Sequence, residues 1–249
     1  MPNAITSFLA RRQFRPTLWP TVGLILLVAA TLVLGNWQRH RAEEKEALRA
    51  QYDLAASAPP IELVASSTDA AALRFHRVRA SGEFYAPAQV LIDNKVHAGQ
   101  PGYHVVTPLK LAGGGFVLVD RGWVPAGPRR SDLPRVPAPA GLVTVDGRVN
   151  IPPARYLELH ADNTSGPVWQ NLDIARIAAA SGLTLLPYIV EQADGPPEGL
   201  VREWPAPDFG IEQHRSYMVQ WYSFGLLGCV LWLGLNWRLR EERDDPAAK

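Results

Sequence analysis

The sequence is poor in sulfur, with one cysteine, Cys229, and two methionines in 249 residues. A lone cysteine excludes a disulfide within the chain and a cysteine zinc site. An excess of one charge is missing too. Twenty-five Lys and Arg stand against 24 Asp and Glu, a formal net charge of +1, so no global field calls for nucleic acid. The sequence motifs of common enzymes are also absent. There is no Gly-x-Ser-x-Gly elbow, phosphate loop, His-Glu-x-x-His or dinucleotide fingerprint. No activated nucleophile or acid–base pair emerges, so an enzyme is not expected, and a membrane-anchored enzyme of unrecognised type is held only as a third hypothesis. No internal repeat is present either. Mean hydropathy is -0.07, an average of two apolar ends and a polar middle.

What is present begins with those ends. Leu18 to Leu34 carries no charge, with Trp19 and Trp37 at its borders. Met218 to Leu235 is the second uncharged run. About 18 such residues suffice for a membrane helix, and at about 1.5 Å per residue residues 18–37 cross a ~30 Å hydrocarbon core. A cleaved signal peptide has an apolar core of about 7 to 15 residues and a small-residue cleavage site. The first run is longer and closes on Val33-Leu34-Gly35-Asn36-Trp37, a poor site. Arg11-Arg12-Gln13-Phe14 faintly resembles a twin-arginine signal, but an uncleaved anchor is expected. Tyr217, Trp221, Tyr222, Trp232 and Trp237 are the interfacial aromatics of a spanning helix.

Charge gives an orientation. Arg11, Arg12 and Arg15 precede the first run, and Arg238, Arg240 and Arg243 follow the second. Arg39, Arg41, Lys45 and Arg49 crowd the other side of the first run and oppose that signal. Arg215 is the nearest cation before the second run, and long loops translocate largely regardless of charge. The expectation is a cytoplasmic N-terminus (1–17), a transmembrane helix (18–37), an extracytoplasmic β-rich domain with a helical stalk (38–213), a second transmembrane helix (214–237) and a cytoplasmic tail (238–249). The fold class is a membrane-anchored α+β protein whose two end helices flank an antiparallel β-rich domain.

Gln38 to Gln51 continues the first helix, because it lacks Gly and Pro and is rich in helix formers. Arg39 with Glu43 and His40 with Glu44 are i,i+4 pairs, and Pro59-Pro60 ends the stalk. Beyond it, strands are predicted over residues 77–82, 89–93, 103–109, 116–121, 142–149 and 185–190, where β-branched runs alternate with turn residues. Gly113-Gly114-Gly115 is a hairpin turn. Asp173 caps a short helix over 174–181 that Gly182 closes. Ala126 to Ala140, with Pro128, Pro134, Pro137 and Pro139, is a loop. His97 and His104 flank Gly99-Gln100-Pro101-Gly102 and could face each other across a hairpin. Two histidines alone do not complete a metal site. Asp120-Arg121 could form a buried ion pair beside Trp123. His40, His76 and His160 show no ligand spacing.

The residues that stand out lie at the mouth of the second apolar run. His214 sits one turn before it, in reach of an amphiphile arriving from a membrane: a lipid, a quinone, a porphyrin or a partner helix. Met218, Trp221 and Gly225 follow on the same helical face. That face could instead pack on the first run, since Gly225 and Cys229 form a small-xxx-small pair.

Five motifs in order then resemble a family. They are Gly35-Asn36-Trp37-Gln38 with Arg41 and Lys45; Pro101-Gly102-Tyr103 with Thr107-Pro108-Leu109; and Val117 to Pro125, which contains Asp120-Arg121-Gly122-Trp123. Gly147-Arg148 with Pro152, Asp162-Asn163, Trp169 and Asp173 is the fourth, and His214-x-x-Tyr217 with Trp221-Tyr222 the fifth. Together they resemble the surfeit locus protein 1 family of cytochrome c oxidase assembly factors. The resemblance implies an assembly factor of the bacterial inner membrane that binds heme a and assists its insertion into subunit I of a terminal oxidase. It makes His214 the axial iron ligand, and subunit I, heme A synthase and the bilayer the partners. Tyr217, Trp221 and Arg215 join His214 as cofactor-binding residues, with Arg215, Arg39 or Arg41 available for the propionates; a second axial ligand could come from His40 or from a partner. A scaffold that holds nascent subunit I without binding heme is the alternative. Glu212, Gln213 and Gln220 depart from the family pattern, which commonly has two asparagines and a threonine there.

Overall fold

The computed structural model describes residues 12–153, 164–196 and 198–239. Arg11, His160, Asp162, Asn163, Arg240 and Arg243 lie outside the described residues. In chain order the elements are β1 (Arg12–Phe14), α1 (Leu18–Ser57), β2 (Ile61–Leu63), α2 (Ala70–Leu73), β3 (Arg77–Phe84) and β4 (Val90–His97). Then come β5 (Gln100–Leu111), β6 (Phe116–Pro125), β7 (Leu142–Asn150), β8 (Thr164–Ser165) and β9 (Val168–Trp169). The last are α3 (Ile174–Ser181), β10 (Leu185–Gln192), α4 (Ile211–Asn236) and β11 (Trp237–Leu239). They form two compact units, residues 1–49 with 208–249, and residues 50–207.

The first unit is built on two apolar helices. α1 is unbroken over its 40 residues. Its one proline, Pro20, falls in the first turn, where a missing N–H costs nothing. The helix passes the expected end at Gln51 and stops at Ser57, before Pro59-Pro60. Both helices are long and apolar enough to cross a membrane, and only 11% and 6% of their apolar windows are buried. A core helix of a soluble protein would be mostly covered. They approach closely where glycine allows it. A Cβ on Gly225 would lie 2.7 Å from Thr31 Oγ1, and one on Gly228 2.7 Å from Leu27 Cδ2. Gly225, the first member of the expected small-xxx-small pair, and Gly228 thus both lie against α1. β1 and β11 pair antiparallel, and buried Asn236 accepts from Thr17 N at 3.1 Å while donating to Trp232 O at 2.7 Å.

The second unit is a closed barrel. Strands run β3-β7-β10-β6-β5, and β5 returns to β3. β5 achieves this by splitting its edge: Gln100 to Val106 pairs with β4, and Leu109 to Leu111 pairs with β3. β4 then carries β9 and β8. The sheet is mixed rather than purely antiparallel. β10 lies parallel to β6, β2 to β3, and β9 to β4. Each of these pairs is separated by a long stretch of chain, which is what a parallel pairing requires.

Alternation fills the barrel. Val78, Ala80, Leu109, Val117, Val119, Val145, Val149, Leu186, Tyr188 and Val190 form one buried cluster. The opposite sides of β5, β6 and β10 give Val106, Leu118 and Ile189, which form a second buried cluster with Ile92 of β4, Trp169 and Ile177 of α3. Tyr188 donates to Ser67 O at 2.6 Å, and burial pushes its pKa to about 12. α3 has the expected cap, Asp173 accepting from Arg176 N at 3.1 Å, and Gly182 ends it at φ 69°.

Candidate functional site

His214 stands on the first turns of α4, half-buried. Its Nδ1 lies 2.7 Å from Oε1 of Gln38 on α1. Gln38 is only 8% exposed, on a helix that is otherwise mostly open. Tyr217 and Trp221, three and seven residues on, share the His214 face. Tyr217 is exposed; the Trp221 indole meets Phe224 edge-on with centroids 6.0 Å apart. Tyr222 points to α1, where it donates to Asn36 Oδ1 at 3.0 Å. Below Trp221, Thr31 fills the space over Gly225. The part of this face at Gly225 is therefore covered by α1, the packing alternative raised for it above.

The cations at this end are engaged. Arg215 reaches Glu46 at 2.9 Å and Glu212 at 3.1 Å. Arg39 pairs with Glu43 at 3.4 Å, as expected, but Glu44 takes Arg41 at 2.7 Å rather than His40. A permanent guanidinium outcompetes an imidazole for the carboxylate. His40 contacts Arg39 instead, at 3.3 Å. These are exposed pairs, each worth about 0–1 kcal/mol, and a better anion could displace them. Among the described residues no three His, Cys, Asp or Glu side chains converge on a metal position.

The barrel unit holds a second constellation that the sequence reading missed. His104 and His97 do not face each other. The β4–β5 turn is tighter than expected, at Ala98-Gly99 with φ of 47° and 78°, so His97 opposes Gln100 and His104 opposes Ile92. His97 packs on Trp123 with centroids 5.1 Å apart. His104 Nδ1 instead sits 2.7 Å from Asp120 Oδ2, and Trp204 lies edge-on to the imidazole at 5.3 Å. Burial pushes the Asp120 carboxyl up, and the His104 bond pulls it back.

The polar row continues across the strands. Asp120 is in register with Glu191, and Glu191 with Arg148. Arg148 bonds Glu191 at 2.8 Å and Tyr52 at 2.6 Å, and Asn150 bonds Glu191 at 2.6 Å. A cleft of about 390 Å³ opens beside His104, Asp120, Asn171, Glu191 and Trp204. Only the strand register reveals this row, since its members are scattered along the chain.

The expected Asp120–Arg121 pair does not form, because neighbours on a strand point to opposite faces. Arg121 goes the other way and is fully buried. It meets Glu198 at 2.9 Å, Pro137 O at 2.9 Å and Gln89 Oε1 at 3.0 Å, with Phe84 at 5.3 Å from its guanidinium. Burial lowers its pKa, and Glu198 opposes the shift.

Two long apolar helices at the chain ends and a closed barrel between them in sequence define a candidate two-span protein with a folded domain joining its spans. The SURF1 family model matches residues 25–226. The chain belongs to the SURF1 family. It is 27% identical over 243 residues to an uncharacterised SURF1-like protein of Mycobacterium tuberculosis, covering 92% of this chain and 89% of that one. It is 26% identical over 229 residues to a SURF1-like protein of Monosiga brevicollis, covering 86% of each. Surfeit locus protein 1 of Xenopus tropicalis is 24% identical over 225 residues, covering 84% of this chain and 73% of that one.

Proposed function

We propose that this protein is an assembly factor for a heme-copper terminal oxidase. It binds heme a at the mouth of α4 and assists its insertion into subunit I. α1 and α4 hold it in a bacterial inner membrane, both termini cytoplasmic and the barrel domain outside. The observation that carries this reading is the position of His214. It is a half-buried imidazole at the start of an apolar helix, with Trp221 one further face-repeat down.

The donor set fits such a cargo. A bare metal ion needs several converging ligands, and none converge among the described residues. A heme brings four nitrogens of its own and asks the protein for one or two axial ligands. His214 supplies one. Tyr217 and Trp221 offer aromatic surface to the macrocycle, and Arg215 can exchange Glu46 or Glu212 for a propionate. The family membership supports the oxidase as the setting, with subunit I as recipient and heme A synthase as donor. The bilayer suits both the cargo, which is very apolar, and the uncovered faces of the two helices.

The test is an absorption spectrum. The protein is made in membranes that synthesise heme a, purified in mild detergent and compared with His214→Ala. The expected result is a reduced heme a band in the parent that is lost or shifted in the variant. Equal heme in both proteins would move the ligand elsewhere, with His40 next. A heme-free parent whose deletion still lowers the heme a content of the oxidase would replace the carrier by a scaffold.

A further inference from the structure

The contact between Gln38 and His214 joins residues 176 positions apart, and at 2.7 Å it is a short hydrogen bond. It is also sheltered, since Gln38 is 8% exposed. An amide oxygen only accepts, so the imidazole must donate, and Nδ1 carries the proton. In a neutral ring the lone pair then sits on Nε2. No hydrogen bond to that nitrogen is formed among the described residues, and the imidazole is half-open. The rotamer of His214 is held by the same bond.

We propose that Gln38 is the positioning residue of the heme site: it fixes His214 in the Nδ1–H tautomer, so that Nε2 is the nitrogen offered to iron. This rests on the heme reading above. The choice of an amide also has a consequence. A metal-bound histidine whose other nitrogen faces a carboxylate becomes more basic and a stronger ligand. Gln38 orients the ring without adding that charge. The nearest acids on α1, Glu43, Glu44 and Glu46, are each paired with an arginine. The ligand is thus held in place but kept weak, which suits a protein that must release its cargo.

The proton position can be read without any heme. The heme-free full-length protein is labelled with nitrogen-15 histidine in detergent micelles, and His214→Ala assigns the resonance. Long-range proton–nitrogen spectra should show the proton of His214 on Nδ1. Gln38→Leu should shift it toward the Nε2–H form that free histidine prefers, and Gln38→Glu, which keeps an acceptor, should leave it on Nδ1. Circular dichroism of each variant checks that the helices form. A wild-type proton on Nε2, as a reversed Gln38 amide would give, overturns the proposal. So does a Gln38→Leu spectrum identical to the parent.

Heme a titration then separates this claim from the one beneath it. Gln38→Leu should weaken binding about 10- to 100-fold, the usual range for outer-shell partners. Gln38→Glu should bind at least as tightly as the parent and release to apo-oxidase more slowly. A parent that binds no heme while its tautomer responds to Gln38 overturns the carrier reading and leaves the hydrogen bond standing. A parent that binds heme, with a changed tautomer but unchanged affinity in Gln38→Leu, overturns the positioning role alone.

Discussion

Arg121 places a full charge where no water reaches it, and three separate loops pay court to it with oxygen atoms. Gln89 follows the turn after β3, Pro137 lies in the proline-rich loop, and Glu198 lies after β10. Removing one partner of such a buried pair leaves the other uncompensated, which costs about 3–5 kcal/mol. Arg121→Ala should therefore lower the melting temperature markedly and reduce assembly, while any heme that remains bound keeps the parent spectrum. Unchanged thermal unfolding would remove Arg121 from the framework. Asp120, its neighbour, serves the opposite face, where it orients His104. The residue types at 120 and 121 suggest a pair; the pleat separates them, and their true partners lie far along the chain.

At the level of elements, the barrel depends on the short return of β5 to β3. Gly82 makes that closure possible: a Cβ there would run into the carbonyl oxygen of Lys110, which belongs to the neighbouring strand and cannot swing aside. Gly82→Val should open this seam and destabilise the domain by about 1–3 kcal/mol, the usual range for overpacking. The shift should appear in denaturant unfolding and in faster amide exchange at Leu109 and Leu111. A variant as stable as the parent would mean that the seam contributes little. Closure is not visible in the sequence. Alternation in β3 and β7 shows which residues face inward, but each strand is compatible with several partners, and β5 serves two at once. The local elements were readable. α3 has its Asp173 cap and its Gly182 stop, and the Gly113-Gly114-Gly115 turn joins β5 to β6.

For the whole molecule, the two units make different demands on solvent. The apolar windows of α1 and α4 are only 11% and 6% buried, which leaves most of their apolar surface uncovered. Residues 50–207 carry their own cores, inside the barrel and under α3. The full chain should remain in membranes washed with alkaline carbonate. A fragment of residues 50–207 should be soluble and unfold in one cooperative transition. Release of the full chain by carbonate would contradict the anchoring.

The sequence by itself determined what depends on neighbours in the chain. It set two uncharged runs long enough to span, the break at Pro59-Pro60 and the strands as alternating runs. Tertiary structure decided what depends on distant partners: the closed and partly parallel barrel, the row from His104 to Arg148, the burial of Arg121 against Glu198, and the bond from Gln38 to His214. The physical reason is common to all four. Side-chain period and propensity fix which way a residue faces, whereas the group it meets there is set by register and packing between segments up to 176 residues apart.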